Sequence, residues 1–387
     1  MNHDRWMGVG RSNATDPGVA AAEAFSGALR GPDPQLLIVF CSSSYDMEAF
    51  VAALNEHSGG VPLIGCSTAG EIGTSGPGDA SVVVTALGGA GFSVATAAAK
   101  DAATRPREAG AEAASCLSEL EDKPHRVLLM LSDGLSGHQQ QIVRGAYSVA
   151  GAAVPLVGGC AGDDLAMKKT YQVCGDLVLT DSVVAAAIGS DAPFGIGVRH
   201  GWGAVGEPMV VTESDNNRVH TLDNKPALDV YLDRLNASEQ IRTDPAAFTR
   251  FAITHPLGLS RRSDEPHVRF VGEADFDTRS LICIAEVPQG ALVWFMQGDM
   301  DSVLTATNGA CADAVEMLDS PPIGFLAFDC IARRGVLGDE GIKFEVKRIS
   351  QLARGAPVAG FYTYGEIART RGISGFHNQT LVVLAVS

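Results

Sequence analysis

Three times along this chain a proline stands three residues before a glycine in the same setting, and that recurrence constrains the fold more than any other feature. The copies are Pro62 with Gly65, Pro155 with Gly158 and Pro357 with Gly360. Ahead of each lie an apolar run of strand length and a helical stretch. These are Leu36-Leu37-Ile38-Val39-Phe40-Cys41 with residues 46–57, Val127-Leu128-Leu129-Met130-Leu131-Ser132 with 138–150, and Phe325-Leu326-Ala327-Phe328-Asp329-Cys330 with a helix ending before Gly355. Behind each lies a closing apolar run, Val82-Val83-Val84, Val183-Val184-Ala185 or Leu381-Val382-Val383. In the first and third copies a Gly-Glu-Ile triplet, Gly70-Glu71-Ile72 and Gly365-Glu366-Ile367, begins eight positions after the proline. The second copy carries Ala161-Gly162-Asp163. A fainter fourth copy is expected at His255-Pro256-Leu257-Gly258-Leu259, since Pro155, Pro256 and Pro357 are spaced at 101 residues.

Strand, helix and two further strands per unit predict an α/β fold of mixed sheets covered by helices. A chain of 387 residues exceeds one hydrophobic core. Two domains built from these β-α-β-β units are therefore expected, 1–195 and 196–387, joined through the glycine-rich stretch 189–206. Past that stretch, residues 225–235 read as a helix, Val268, Leu281 and Leu292 mark a meander with Gly290 turning its last pair, and 300–318 read as a helix capped by Asp299 or Asp301. The proline fixes entry into the second strand and the glycine is read as allowing a tight turn where that strand leaves the sheet. Glu71, Asp163 and Glu366 then occupy equivalent strand ends, where α/β proteins place ligands.

Twenty-nine basic against 45 acidic residues give a formal charge of -16, which disfavours nucleic acid and anionic membrane as partners. The nearest thing to a basic cluster, Arg261-Arg262, is followed by Asp264-Glu265. Residues 1–13 lack the apolar core of a signal peptide, so a cytoplasmic location is expected. The uncharged stretch 80–99 is broken by Gly88, Gly89 and Gly91 and reads as two strands, not a membrane span. Eight cysteines without a Cys-x-x-Cys pair read as reduced, mostly buried thiols, and no metal site is expected.

Cys66-Ser67-Thr68-Ala69-Gly70-Glu71-Ile72 resembles the signature of the FIST amino-terminal domain. His255-Pro256-Leu257-Gly258, the strand around Arg269, and Gly360-Phe361-Tyr362-Thr363-Tyr364-Gly365-Glu366-Ile367 followed by Phe376-His377-Asn378-Gln379-Thr380 resemble its carboxy-terminal partner domain. The resemblance implies a sensory, signal-transducing module that binds a small ligand such as an amino acid or similar metabolite. It also admits a haem-based nitric-oxide sensor that regulates a histidine kinase. No kinase, receiver or other output segment is recognisable, so the signal would pass through a partner protein.

Tyr362, Tyr364, Glu366, His377 and Asn378 form the leading ligand-binding candidate, because their polar groups can converge on an amine, hydroxyl or carboxylate. The same groups can equally form a buried network that ties strands together. Arg269 and His255, with Arg199, come next, since an arginine in an apolar strand either pairs with a buried acid, here Glu273, or receives an anion. His255 and His377 are the haem-ligand candidates. Neither Gly-x-Ser-x-Gly nor a cysteine with a recognisable histidine partner is present, and Cys41, Ser132 and Cys330 look like equivalent small residues, so no catalytic residue is assigned. Metabolite sensor, haem-based sensor and enzyme of unknown reaction all stay open at this point.

Overall fold

The computed structural model describes residues 5–260, 267–369 and 375–387; Arg261-Arg262 and Asp264-Glu265 lie outside them. The chain builds one unit three times over. Unit one runs from an edge strand, Trp6–Ser12, through helix α1 (Pro17–Ala28) to a first strand, Pro34–Ser42. Helix α2 (Met47–Ser58), a second strand, Leu63–Thr68, a hairpin of Glu71–Gly73 and Gly76–Gly78, and a closing strand, Val82–Gly88, complete it. Unit two follows the same order with Phe92–Lys100, α3 (Pro106–Ala114), His125–Ser132, α4 (Gln139–Ala150), Leu156–Cys160, the hairpin Gln172–Cys174 with Leu177–Leu179, and Ser182–Ser190.

Unit three opens on Phe194–Arg199, the strand in which the expected boundary after residue 195 falls, and is interrupted by residues 203–297. The interruption holds a fourth, antiparallel sheet and three helices, α5 (Ala227–Arg234), α6 (Glu239–Thr243) and α7 (Pro245–Ala252). The unit resumes with α8 (Met300–Glu316), Gly324–Cys330, α9 (Ile331–Leu352), Val358–Thr363, the hairpin Glu366–Arg369 with Phe376–His377, and Leu381–Val386. The predicted mixed sheets under helices are thus present, in the predicted repeated units.

In every unit the first strand runs parallel to the second and antiparallel to the closing strand. The hairpins are exchanged. That of unit two adds to the sheet of unit one, through Gln172–Cys174 on Leu63–Thr68. That of unit three adds to the sheet of unit two, and that of unit one adds to the sheet of unit three. Each sheet therefore has six strands, four of its own and two lent by a neighbour.

The Pro-x-x-Gly step is explained by this arrangement. The carbonyls of Pro62, Pro155 and Pro357 accept the N–H of Leu37, Leu128 and Phe325 and so set the parallel register. The glycine lies inside the second strand, opposite the first, and is not a turn residue. A Cβ at Gly360 would stand 1.9 Å from Ala327 O, and one at Gly158 1.8 Å from Met130 O. Only a residue without a side chain lets the two strands approach this closely.

Four further sequence expectations change here. The register pairs Cys41 with Ser67, Ser132 with Cys160 and Asp329 with Tyr362, so Asp329, not Cys330, is the counterpart of Cys41 and Ser132. The first hairpin strands pair Glu71 with Phe361, Gln172 with Cys66 and Glu366 with Gly159, so Gln172, not Asp163, matches the two glutamates. No fourth unit exists at His255: Leu257–Leu259 lies in the antiparallel inserted sheet, between His267–Arg269 and Leu292–Gln297. The expected meander is also rearranged, because Gly203–Asp215 and Arg218–Leu222 separate Ser280–Cys283 from Leu292–Gln297.

The inner faces of the three sheets share one core, in which Phe40, Phe328 and Phe361 meet with ring centroids 4.8 to 6.1 Å apart. On the outer faces α1 and α2, α3 and α4, and α8 and α9 each cover their own sheet, and the inserted sheet packs on α5 and α7. The helix starts follow their residues. Asp46 accepts Ala49 N–H at 2.9 Å ahead of α2, and Asp299 forms a capping box with Ser302 ahead of α8. The strands Val82–Gly88 and Phe92–Lys100 occupy the stretch considered as a membrane span, and no helix among the described residues is long and apolar enough to cross a membrane.

Candidate functional site

Glu71 and Glu366 sit where a chain leaves its own unit to enter the neighbouring sheet. Both are fully buried. Glu71 accepts hydrogen bonds from Thr68 Oγ1 and from Ser81 N and Oγ, while Glu366 accepts from Thr363 Oγ1 at 2.6 Å and Thr380 N at 3.0 Å. Gln172 does the same work in unit two, taking Ser182 N at 3.3 Å and giving Nε2 to Thr170 Oγ1 at 2.9 Å. Burial pushes the Glu71 carboxyl up to about 7 and that of Glu366 up to about 8, against the hydrogen bonds that favour ionisation. These groups are latches for the exchanged hairpins, and none opens onto a cavity described below.

The other expected ligand residues disperse. The strand Val358–Thr363 ends between the two tyrosines. Tyr362 is buried beside α9 with the Arg334 guanidinium 5.0 Å above its ring, while Tyr364 crosses to unit two. Its Oη donates to Asp163 Oδ1 at 2.6 Å and accepts Leu165 N–H at 2.8 Å, pinning residues 161–170. Asn378 Nδ2 donates to His377 O. His377 Nε2 meets Ala368 O at 2.8 Å, and its ring lies 4.8 Å from that of His267. His255 is stacked 4.0 Å over Phe251 with Nδ1 on Phe251 O, and burial lowers its pKa. Neither histidine lines a cavity of this site, so the geometry lends the haem assignment no support. Arg199 forms a forked pair with Asp313, and Arg269 binds the Glu286 and Val268 carbonyls, not Glu273.

Two of the cavities among the described residues lie at the ends of the repeated units. One is the cleft of about 370 Å³ at the strand ends of units one and three. Its charged groups are already matched: Asp164 accepts Ser42 and Ser43 hydroxyls, and Arg334 is forked on Asp79 at 2.7 and 2.9 Å. Near it Arg333, fully buried, joins Asp329, Glu345 and Thr307 in a cluster in which Asp329 Oδ2 and Glu345 Oε2 find no hydrogen-bond partner among the described residues. Burial, then the neighbouring Glu345 charge, holds the Asp329 carboxyl well above the usual range.

The other place is a groove between unit two and the inserted sheet. It consists of two recesses of about 200 Å³ each, which share Gln140 and Glu286. The first lies at the start of α4, against Asn216, Asn217 and Ile284. The second holds Arg144, Ser260, His267 and Arg269. Arg144 faces Glu286 at 3.5 Å. Gln140 is 8% exposed, and its buried Oε1 has no hydrogen-bond partner among the described residues. A buried carboxamide oxygen left unmatched costs about 1–3 kcal/mol.

Of the expected residues, the groove gathers Arg269 alone, with His377 just behind His267. Gln140, Arg144 and Glu286 were missed. A signal existed: His138-Gln139-Gln140-Gln141 opens a helix without the Asp, Ser or Thr that caps helices such as α2.

The sequence model of the FIST N domain matches residues 35–225, and that of the FIST C domain matches 227–369. An uncharacterized protein of Mycobacterium tuberculosis is 26% identical over 391 aligned positions, covering 97% of each chain. An uncharacterized protein of Methanocaldococcus jannaschii is 26% identical over 156, covering 38% of this chain and 30% of its own. Among solved structures, PurLQS from Thermotoga maritima aligns at 9% identity over 98% of this chain and 72% of its own, with a TM-score of 0.23.

Proposed function

The chain belongs to the FIST family, whose domains are associated with sensory, ligand-binding signal transduction, and from that premise we propose that it senses a small metabolite in the groove between unit two and the inserted sheet. The observation that carries this reading is the buried Gln140 side chain, which lines both recesses and makes no hydrogen bond among the described residues. The groove also joins the two family domains, since α4 belongs to the first and Arg269 and Glu286 to the second. A ligand held by both walls favours one relative placement of the two over others, and a partner protein that reads that placement receives the signal. A histidine kinase is one such partner.

A metabolite screen by thermal shift, run on the parent and on Ile284→Trp, tests the reading. Ile284 is 51% exposed and lines the first recess, so the larger side chain fills the space without entering the core. A hit should stabilise the parent and leave the variant's midpoint unmoved. Equal stabilisation of both proteins would place the ligand elsewhere.

A further inference from the structure

Resting on the groove as ligand site, we infer that its occupant carries a small oxyanion, a carboxylate or phosphate, seated on the first turn of α4. Helix α4 has twelve residues and starts inside the first recess, which Gly137 to Gln141 line. Its cap residue, His138, makes no capping bond through its side chain. The His138 carbonyl takes the N–H groups of Gln141 and Ile142. Those of Gln139 and Gln140 find no acceptor among the described residues.

A helix of this length directs roughly half a positive charge at its start, together with unused N–H donors, and so prefers a negative occupant. The second observation is independent of the helix. The Gln140 side chain, more than nine-tenths buried, lines both recesses; its Oε1 is shielded and unmatched, and its Nε2 has no acceptor among the described residues, which leaves an N–H donor for the anion. The local charge agrees. Glu286 is balanced by Arg144 at 3.5 Å. Gln139 is not available, because its side chain turns inward to Ser132 Oγ and Asp133 O.

The test titrates inorganic phosphate, acetate and succinate into the full chain at ionic strength held constant with chloride, following the thermal midpoint and the amide spectrum. At least one probe should stabilise the protein saturably and shift the Gln139 and Gln140 amide resonances. Phosphate against the two carboxylates separates the sources. In Gln140→Glu, which keeps a good helix former but adds a like charge, affinity should fall at least about tenfold; Gln140→Leu, without the charge, should also weaken binding. No saturable response to any probe, or an unchanged response in Gln140→Glu, overturns the inference. If a neutral metabolite is blocked by Ile284→Trp while all three probes fail, the anion assignment falls and the groove stands. If Ile284→Trp leaves every hit untouched, both fall.

Discussion

Glu366 is protonated in the folded chain at a pH where a free glutamate is fully ionised, because burial holds its carboxyl at about 8 against an ordinary 4.5. Its folded pKa is raised, so its contribution to stability is complete below the unfolded value and is lost as pH climbs through about 8. Glu71, raised to about 7, acts in the same direction over a narrower window. Unit two performs the same latching with Gln172, which has no proton to lose. Glu366→Gln should therefore fold normally and flatten the fall in thermal midpoint that the parent shows between mildly acid and mildly alkaline buffer, a difference on the order of a few kcal/mol at the alkaline end. A variant that loses stability as steeply as the parent would show that the carboxyl is ionised where it is buried.

At the scale of elements, the repeated Pro-x-x-Gly step and its flanking runs were legible, and with them α2, α4, α9 and the three parallel strand pairs. The destination of the hairpins was not. Strands of three or four residues such as Glu71–Gly73 and Glu366–Arg369 carry too little pattern to name a partner more than about 200 residues away. The insertion between Cys160 and Gln172 displaced the polar latch from its usual offset after the proline, which is why Asp163 stood in for Gln172. The candidate site was legible only through Arg269, because a groove between distant segments depends on how the inserted sheet packs and leaves no local period. The role of the repeat glycine is open to a direct check. Gly360→Ala drives a methyl into the Ala327 carbonyl, and since backbone must move to relieve it, a loss of about 1–3 kcal/mol or more is expected in denaturant unfolding. The same change at Gly76, with open space around its missing side chain but a φ of +131°, should cost less and only through backbone strain.

The whole molecule is bound together by what its units lend one another. A segment ending at residue 195 lacks both strands that complete the sheet of unit two, and its own hairpin Glu71–Gly78 would have no strand Val358–Thr363 to join. Neither 1–195 nor 196–387 should fold alone, whereas the two expressed together should assemble; circular dichroism and amide spectra of each piece and of the mixture decide this. Well-dispersed spectra from either isolated half would show that the lent strands are dispensable. Exchange on this scale also orders events during synthesis. The strand Leu156–Cys160 leaves the ribosome some 200 residues before Glu366–Arg369, the strand that covers its edge. Throughout that interval the nascent chain carries an open, apolar strand edge, the kind of surface to which other chains add. A cell making this protein quickly has reason to shelter that edge until Glu366–Arg369 emerges.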